Sequence, residues 1–398
     1  MKKNSFDIVC VAQPSWDGPY AKSTVLLMKE LAQKNRVLYV DYPSTWKDFI
    51  QSLFKKQRTP ILQMLGLKDR VRVVQKNKNG VSLAVLTLPP LLPINFLPHG
   101  WFYRLLNKIN SITASLSIHK AMERMGFGRP VVINAFSPAL GLGLLHQLNE
   151  KLTLYYCYDE IKEAVWSGKH GGLMEKEFAE KVDGIIVSSD SLGKEKEILN
   201  DETYVVKNGV DTNFFQPKAN LAHDTKKPAV VGFVGSLDSR VDYMLLNDLI
   251  VHSPELHFRF IGRVVDTQFE MLQLLPNVEW VPPVLYHQLP ALVEQFDLGI
   301  IPFVISPFTE KIYPLKINEY LAMGKPVVMT SFARLPEFDT VAVRADSGLA
   351  FKAAILSALK NDNPEKRQLR ELFARRNSWK ERAREFDRII ETVSSEKE

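Results

Sequence analysis

Lys316 and Glu319 stand three residues apart in a segment whose pattern predicts an anion-binding helix start. The segment PLKINEYLAMGK (314–325) follows an apolar strand pattern and a polar loop. Pro314 near its start and Gly324 at its end bound a short helix, so free backbone N–H groups collect at the first turn, where phosphate is often bound. A lysine is disfavoured in that turn unless an anion docks beside it, and Glu319 can reach sugar hydroxyls. The pattern therefore predicts a site for a nucleotide-sugar diphosphate.

A second group of residues fits the same kind of site. Gly235 and Ser236 follow the apolar strand pattern AVVGFVG, and Arg240 opens the next element. Glycine lets a backbone approach a ligand closely, and arginine pairs well with a diphosphate. Taken singly, these residues are as well explained by a strand-end turn and a solvated surface charge. Their presence beside the PLK-x-x-E pattern favours a phosphate site.

PLKINEYLAMGKPVV (314–328) resembles the donor-site signature of the retaining GT-B glycosyltransferases of the group 1, or family 4, type. It is most similar to the branch found in capsule, exopolysaccharide and teichuronic-acid gene clusters. VVKNGVDTNFFQP (205–217) and VGFVGSLDSRVDYMLL (231–246) agree with it, so the resemblance covers the C-terminal half well and the N-terminal part poorly. Many members carry two glutamates separated by seven residues. Here Lys311 occupies the first position and Glu310 is one residue away, so only the role of the second glutamate can be carried over.

The resemblance implies a role for each candidate in donor binding. Arg240 and Lys316 would stabilise negative charge on the departing diphosphate, and Glu319 would accept hydrogen bonds from the ribose. The other donor-binding positions that it implies are Gly235, Ser236, Gly262, Arg263, Pro314 and Leu315. The chain contains no Asp-x-Asp triplet, which agrees with catalysis that uses no metal and no other cofactor.

Three residues of the N-terminal half are candidates for the acceptor side. Asp159 ends the strand pattern LTLYYCYD, where a carboxylate would face the predicted cleft and could deprotonate or orient the acceptor hydroxyl. The alternative is that Asp159 caps the helix that follows. Asp17 and Gly18 follow the first strand pattern, where the resemblance places an acceptor- or phosphate-facing loop. For the prolines and glycine of that loop taken alone, a plain turn is the favoured interpretation.

Two parallel sheets are needed to position these residues. β-Branched strand patterns alternate with helical patterns, which predicts an α/β fold with helices on both faces of parallel sheets. The strand patterns lie at 6–12, 36–41, 81–88, 131–136, 152–159, 183–189, 229–235, 256–262, 278–282, 297–303, 326–330 and 341–344. The chain has 398 residues, enough for the GT-B arrangement of two doubly wound Rossmann-like domains facing each other across a cleft.

The expected domain boundary lies in a polar, proline-flanked stretch before the strand pattern AVVGFVG. We expect an N-terminal acceptor-side Rossmann-like domain at 1–210 and a C-terminal nucleotide-sugar domain at 211–377. By resemblance, the helical pattern at 378–398 crosses back to the first domain, although it could also complete the second.

Charge is distributed unevenly. Residues 1–150 contain 20 Lys and Arg against 8 Asp and Glu, a net charge of +12, whereas the whole chain is at +6. Such a surplus indicates an anionic partner, which could be nucleic acid, an anionic lipid surface or a phosphorylated acceptor. The chain lacks a recognisable nucleic-acid reader motif, so nucleic acid is the least favoured of these partners.

The stretch 94–124 is both basic and aromatic. Trp101 and Phe102 precede Arg104 and Lys108 in a helical pattern, a combination that suits an anionic membrane surface. The alternative is a core helix with an ordinary solvated face. The prolines at 89, 90, 93 and 98 interrupt the uncharged run before it too often for a spanning helix.

The expected location is the cytoplasm, with peripheral contact to the inner face of the membrane. Cys10 and Cys157 both lie in apolar runs, which predicts reduced core thiols and no disulfide framework or metal cluster. Lys2 and Lys3 are followed by Asp7 without a small-residue cleavage pattern, so a signal peptide is not expected.

The sequence therefore predicts a metal-independent glycosyltransferase. It would move a sugar from a nucleotide-diphosphate donor, with UDP as the expected nucleotide, to a glycan or lipid-linked acceptor in surface-polysaccharide assembly. Retention at the anomeric carbon follows from the resemblance alone. A nucleotide-sugar 2-epimerase of the same fold and a catalytically silent GT-B binding protein are the alternatives. The sequence does not predict the donor sugar, the acceptor or the linkage.

Overall fold

The chain divides into two compact units. The computed structural model describes residues 5–18, 22–54, 60–78, 80–163, 169–217 and 228–397. The N-terminal unit comprises Met1–Val206 with Arg382–Glu398, and the C-terminal unit comprises Lys207–Glu381. These divisions lie beside the boundaries at 210 and 377 that the sequence analysis proposes.

The N-terminal unit is built on a sheet flanked by helices. Its strands are β1 (Asp7–Ala12), β2 (Arg36–Val40), β3 (Val71–Asn77), β4 (Gly80–Leu86), β5 (Val131–Ala135), β6 (Leu152–Cys157), β7 (Gly184–Val187) and β8 (Thr203–Val205). Its helices are α1 (Ser23–Leu31), α2 (Trp46–Phe54), α3 (Ile61–Met64), α4 (Trp101–Met125), α5 (Pro138–Leu144), α6 (Gly171–Ala179) and α7 (Asp190–Lys196). The described strands are ordered β3-β4-β2-β1-β5-β6-β7-β8.

The C-terminal unit has a second sheet of the same kind. Its strands are β9 (Ala229–Val234), β10 (Leu256–Ile261), β11 (Val278–Val281), β12 (Leu298–Ile301), β13 (Val327–Met329) and β14 (Ala342–Arg344). Its helices are α8 (Tyr243–Val251), α9 (Gln268–Leu272), α10 (Leu289–Val293), α11 (Leu315–Ala322), α12 (Gly348–Lys360) and α13 (Pro364–Arg376), after which α14 (Trp379–Glu396) begins. The described strands are ordered β11-β10-β9-β12-β13-β14. The later part of α14 packs on the N-terminal unit, where Asn35 donates to Asp387 at 2.9 Å.

The predicted α/β fold with two parallel sheets is confirmed, but two strands of the first sheet, β3 and β8, were not predicted. β3 pairs antiparallel with β4 at the edge of the first sheet. Its sequence, VRVVQKN, exposes Val73 and Val74, so the alternation that marks a half-buried strand is missing. Charged side chains on such an edge discourage pairing with other chains. Cys10 and Cys157 are free and buried, as expected.

Each sheet reverses its strand order around one central strand. β1 pairs in parallel with β2 on one side and with β5 on the other, and β9 pairs in the same way with β10 and β12. Ligands of open α/β sheets bind in the crevice outside the carboxyl ends of the strands at such a point. Gln13 and Ser137 follow β1 and β5, whereas Gly235 and Pro302 follow β9 and β12. The predicted glycine loop at 235 therefore lies at the reversal point of the second sheet.

Tyr320 fixes α11 to the centre of the second sheet. The backbone N–H of Val234, the last residue of β9, donates to the Tyr320 hydroxyl at 2.8 Å. Gly299 of β12 packs against the same ring so closely that a Cβ at this position would lie 2.4 Å from it. The helix that carries Lys316 and Glu319 is thus held against β9 and β12 by one fully buried side chain.

Replacement of Tyr320 by phenylalanine tests this attachment. The variant Tyr320→Phe keeps the ring but leaves the buried Val234 N–H without an acceptor, so we expect a loss of about 1–3 kcal/mol in the free energy of unfolding. Denaturant unfolding measures it, with the partly exposed Tyr42→Phe as the control. Equal stability of the two variants would contradict the role given to the hydroxyl.

Candidate functional site

The loops after β9 and β10 interlock. The Gly235 N–H donates to Ile261 O at 3.0 Å, and Trp280 Nε1 donates to Gly262 O at 2.9 Å. Gly262 has a φ of +151°, and a Cβ on it would lie 1.8 Å from Gly235 O. Only glycine fits such an approach, so the structure brings two predicted donor-binding positions together. The neighbouring Arg263 is exposed.

Arg240 already holds a carboxylate of its own loop. Its Nε and Nη2 donate to the two oxygens of Asp238 at 2.8 and 2.7 Å, and its guanidinium lies 5.7 Å from the ring centre of Phe303. The side chain is one-third exposed, so a phosphate could share it. Sequence reasoning missed Asp238, although its position two residues before the arginine is the signal that could have found it.

Lys316 and Glu319 pair with each other at the start of α11. Lys316 Nζ donates to Glu319 Oε2 at 2.7 Å. Pro314 is the N-cap residue, Leu315 is the first helical residue, and no side chain of the described residues caps this turn. Glu319 is buried, and this desolvation raises the pKa of its carboxyl although the lysine opposes the shift. The anion that the sequence argument required beside Lys316 is therefore present within the helix itself.

The NGVD segment that joins the two sheets is tied to the same helix. Asn208 Nδ2 donates to Tyr313 O at 3.0 Å, and Asn318 Nδ2 donates to Asn208 O at 3.3 Å. Both asparagines are buried. The side-chain carbonyl oxygens of these two residues have no hydrogen-bond partner within the described part of the chain. Buried polar groups of the NGVD segment therefore lie against the start of α11.

The first-glutamate position of the family lies in a 3₁₀ turn. This turn spans Thr309–Lys311, and Glu310 within it is exposed. Glu310 lines an open groove of about 730 Å³ together with Arg334 and Arg344. The groove lies beyond the carboxyl ends of β12 and β13, beside the start of α11 in the chain.

Asp159 lies beyond the carboxyl end of β6 and is exposed. Its Oδ1 accepts the backbone N–H of Glu160 at 2.9 Å. In the 3₁₀ turn Ile161–Glu163 that follows, the Lys162 N–H donates to Glu160 Oε1 at 3.2 Å. Both carboxylates accept backbone N–H groups at the start of this turn, so helix capping stays an alternative for Asp159.

The loop at Asp17 and Gly18 wraps a lysine that sequence reasoning missed. Lys22 Nζ donates to Asp17 O at 2.9 Å and to Ser15 O, and burial lowers the pKa of this lysine. Gly18 has a φ of +152° and leaves 3.0 Å between Lys22 Nζ and a Cβ placed on it. The exposed Asp17 carboxylate pairs with Arg72 at 2.7 Å. Asp17 therefore has a cationic partner, which weakens it as a candidate base.

A cavity of about 280 Å³ lies at the reversal point of the first sheet. Gln13 and Ser137, which follow β1 and β5, line it together with polar side chains of α4, Asn107 and Asn110. His170, at the start of α6, closes one side. Sequence reasoning missed this cavity because its walls come from five segments that are far apart in the chain.

His170 is held as a neutral imidazole. Its Nε2 donates to Leu97 O at 3.0 Å, its Nδ1 lies 3.1 Å from Nδ1 of His99, and its ring stacks on Tyr103 with centroids 3.6 Å apart. Burial lowers the pKa of His170. Since the Leu97 carbonyl fixes the proton on Nε2, Nδ1 must accept from His99. Among the described residues, no group of three or more His, Cys, Asp or Glu could hold a metal ion.

Comparison with known proteins relates part of the chain to a family of glycosyltransferases. Residues 228–361 match the family model described as "Glycosyl transferases group 1". Over 221 residues the chain is 28% identical to TuaH of Bacillus subtilis strain 168, whose name assigns it as a glycosyltransferase to teichuronic acid biosynthesis. The match covers 52% of this chain and 56% of TuaH, so it spans about half the length of this curated relative.

Solved structures share the fold of almost the whole chain. Sucrose-phosphate synthase from Thermosynechococcus elongatus is 16% identical, with a TM-score of 0.68 and coverage of 98% of this chain and 100% of the other. HepE from Anabaena, solved with UDP-glucose, is 13% identical, with a TM-score of 0.61 and coverage of 98% and 100%. Identities this low establish the fold, which is GT-B. The chain thus has the GT-B fold, and the segment that holds its second sheet is similar to group 1 glycosyltransferases.

Proposed function

We propose that this protein transfers a glycosyl group from a UDP-sugar to a glycan or lipid-linked acceptor in the biosynthesis of a surface polysaccharide, without a metal ion. The match of residues 228–361 to group 1 glycosyltransferases supports the reaction, HepE with its UDP-glucose supports the donor, and TuaH by its name supports the pathway class. The observation that carries the proposal is the buried Glu319 carboxylate paired with Lys316. A carboxylate kept in a desolvated site at a cost to stability is typical of functional sites.

The donor diphosphate would bind between two cations that are already oriented. Lys316 is held by Glu319, and Arg240 is held by Asp238 in a bidentate pair. Both cations are partly exposed, so phosphate oxygens could share them with the carboxylates. As the bond to the sugar breaks, negative charge grows on the diphosphate, and cations fixed beforehand stabilise it without reorganising. Backbone N–H groups in the first turn of α11, from Leu315 onward, would add to this stabilisation.

Glu319 would accept hydrogen bonds from the ribose hydroxyls. Its Oε2 is used by Lys316, which leaves the other oxygen for the ligand. Gly235, Ser236, Gly262 and Arg263 would line the nucleotide, because their loops follow the neighbouring strands β9 and β10, and β9 is bonded to α11. Retention at the anomeric carbon is proposed from the family type.

We assign the acceptor to the cavity of the N-terminal unit. Its volume of about 280 Å³ is near the lower end of small-molecule sites, which suits one sugar unit of a longer acceptor. Asp159 follows β6, the neighbour of β5 in the sheet, and is the proposed base for the acceptor hydroxyl. Gly18 and Asp17 follow β1 at the same edge of the sheet.

A turnover experiment separates this reaction from the alternatives. A thermal-shift panel of nucleotide sugars first selects the donor that stabilises the protein. The selected donor is then incubated with the protein alone and with a lipid-linked glycan extract. UDP release that requires the extract supports transfer, a changed sugar without any extract supports a 2-epimerase, and binding without turnover supports a silent binding protein.

Removal of either cation should weaken donor binding. For Lys316→Ala and Arg240→Ala we expect about a 10- to 100-fold loss in affinity for the selected UDP-sugar, the range for a hydrogen bond to a charged group. Isothermal titration measures the affinity. Arg375→Ala, an exposed arginine of α13, is the matched control, and an equal loss in this control would contradict the assignment.

Glu319→Gln should stabilise the free protein while it weakens donor binding. Burial raises the pKa of Glu319 above its ordinary value of 4.5, so the ionised carboxyl costs stability once the pH exceeds its folded pKa. We expect the variant to gain free energy of unfolding at pH 7.5, and the gain to vanish as the pH falls to 4.5. Donor affinity should fall roughly tenfold or more. Glu310→Gln, on an exposed glutamate of the preceding turn, is the control for stability. Destabilisation of Glu319→Gln at pH 7.5 would refute the assignment.

Asp159→Asn separates acceptor chemistry from donor binding. The amide cannot take the acceptor proton, so kcat should fall about 100-fold or more, while the affinity for the UDP-sugar stays unchanged. Asp201→Asn, an exposed position of the same unit, should leave both quantities at the wild-type level. Full activity of Asp159→Asn would end its role as the base.

A further inference from the structure

The outward face of α4 carries a stripe of large apolar residues. Five of them recur at intervals of three or four and are exposed: Trp101, Leu105, Ile109, Ile112 and Leu116. This spacing places them on one side of the helix. The buried side holds the polar residues Asn107, Asn110, Ser111 and Ser115 beside apolar ones such as Tyr103, Ile118 and Met122. A surface helix ordinarily buries its large apolar residues and exposes its polar ones.

Hydrogen bonds fix this orientation of α4. Asn110 accepts the Leu92 N–H at 2.8 Å and donates to Leu92 O at 3.1 Å. Asn107 Nδ2 donates to Ala139 O at 2.8 Å. Rotation of the helix to bury its apolar stripe would break these bonds in the interior. The stripe is therefore held outward by the fold.

A second exposed apolar stripe lies beside the same cavity. In α2, Trp46, Ile50 and Phe54 recur every four residues, and Phe54 is 85% exposed. Phe96, in the loop before α4, is 78% exposed and lines the cavity. Residues of the first turn of α2 and of the buried side of α4 line the cavity too, so the cavity lies on the side of α4 opposite its apolar stripe.

Charge on α4 favours an anionic partner. The helix carries Arg104, Lys108, Lys120 and Arg124 against one acid, Glu123. Lys108 and Lys120 are exposed, and their positions in the helix flank the apolar stripe. Aromatic and aliphatic side chains with lysines beside them are typical of helices that lie in the interface of an anionic bilayer.

We propose that the outward face of α4, with α2 and Phe96, docks the N-terminal unit onto an anionic lipid bilayer. The contact would be peripheral, because none of the described helices is long and apolar enough to cross a membrane. The docking surface does not depend on the proposed reaction. If the reaction is as proposed, the cavity beside the surface would receive the polar end of a lipid-linked acceptor from the membrane.

A vesicle flotation assay on the full chain tests the surface. We expect the protein to float with phosphatidylcholine vesicles that contain phosphatidylglycerol and not with phosphatidylcholine alone. The double variant Ile112→Glu/Leu116→Glu should lose binding roughly tenfold or more. Ile198→Glu, at a position 83% exposed in the same unit, should bind as the wild type does. Circular dichroism and thermal unfolding verify that each variant is folded.

The lysines test the electrostatic part separately. Lys108→Ala/Lys120→Ala should weaken partitioning about 30-fold at low salt, from about one factor of five per basic residue near an anionic surface. Its binding should also depend less on salt than that of the wild type. Equal flotation with neutral and anionic vesicles, no flotation at all, or wild-type binding by the double glutamate variant would overturn the proposal. If light scattering shows a dimer that only the double glutamate variant dissociates, the stripe binds a second copy of the chain, and the proposal is overturned as well.

Discussion

The buried hydrogen bond from the Val234 N–H to the Tyr320 hydroxyl is the constraint on which the candidate donor site depends. It joins the end of the central strand β9 to the middle of α11. The glycine loop that begins at Gly235 and the first turn that carries Lys316 then have fixed positions relative to each other. A phenol can make this bond only if the helix comes close, and Gly299 allows the approach. Two loops that contribute to one ligand site are thereby positioned by an interaction in the core, where motion is smallest.

The candidate donor site contains charged groups that are desolvated and oriented before a ligand binds. Glu319 is desolvated and its pKa is raised, while Lys316 neutralises only part of that cost. Arg240 and Asp238 form a second ion pair, which is more exposed to solvent. Each cation is held in place before a donor arrives, so less conformational entropy is lost on binding. Natural proteins accept this kind of destabilisation at functional sites and offset it elsewhere in the fold.

Local patterns predicted what local physics determines. The central strands and the helix at 314–325 follow from apolar runs, Pro314 and Gly324, and all of them are present. The strands β3 and β8 were not predicted, because a charged edge strand and a three-residue strand lack the alternation of apolar and polar residues that marks a strand. Lys316 and Glu319 are three residues apart, a spacing that allows an ion pair on one helix face. The sequence analysis nevertheless interpreted the lysine only as a ligand contact. The cavity and the His99–His170 contact join segments about 70 residues apart, and no pattern in one segment reports such a contact.

The sequence of α4 fits both a membrane-facing helix and a core helix, and the cavity explains why. Polar side chains must line a cavity that is to receive a hydrated ligand, and α4 supplies Asn107 and Asn110 to its wall. Once these asparagines face inward, the helix cannot also bury the apolar residues that follow its other side, because both faces compete for one interior. The apolar stripe is then left at the surface, where it costs solubility unless something covers it. α4 therefore links the two features: its buried asparagines supply a polar cavity wall, and the apolar stripe left outside forms the surface that an anionic bilayer would cover.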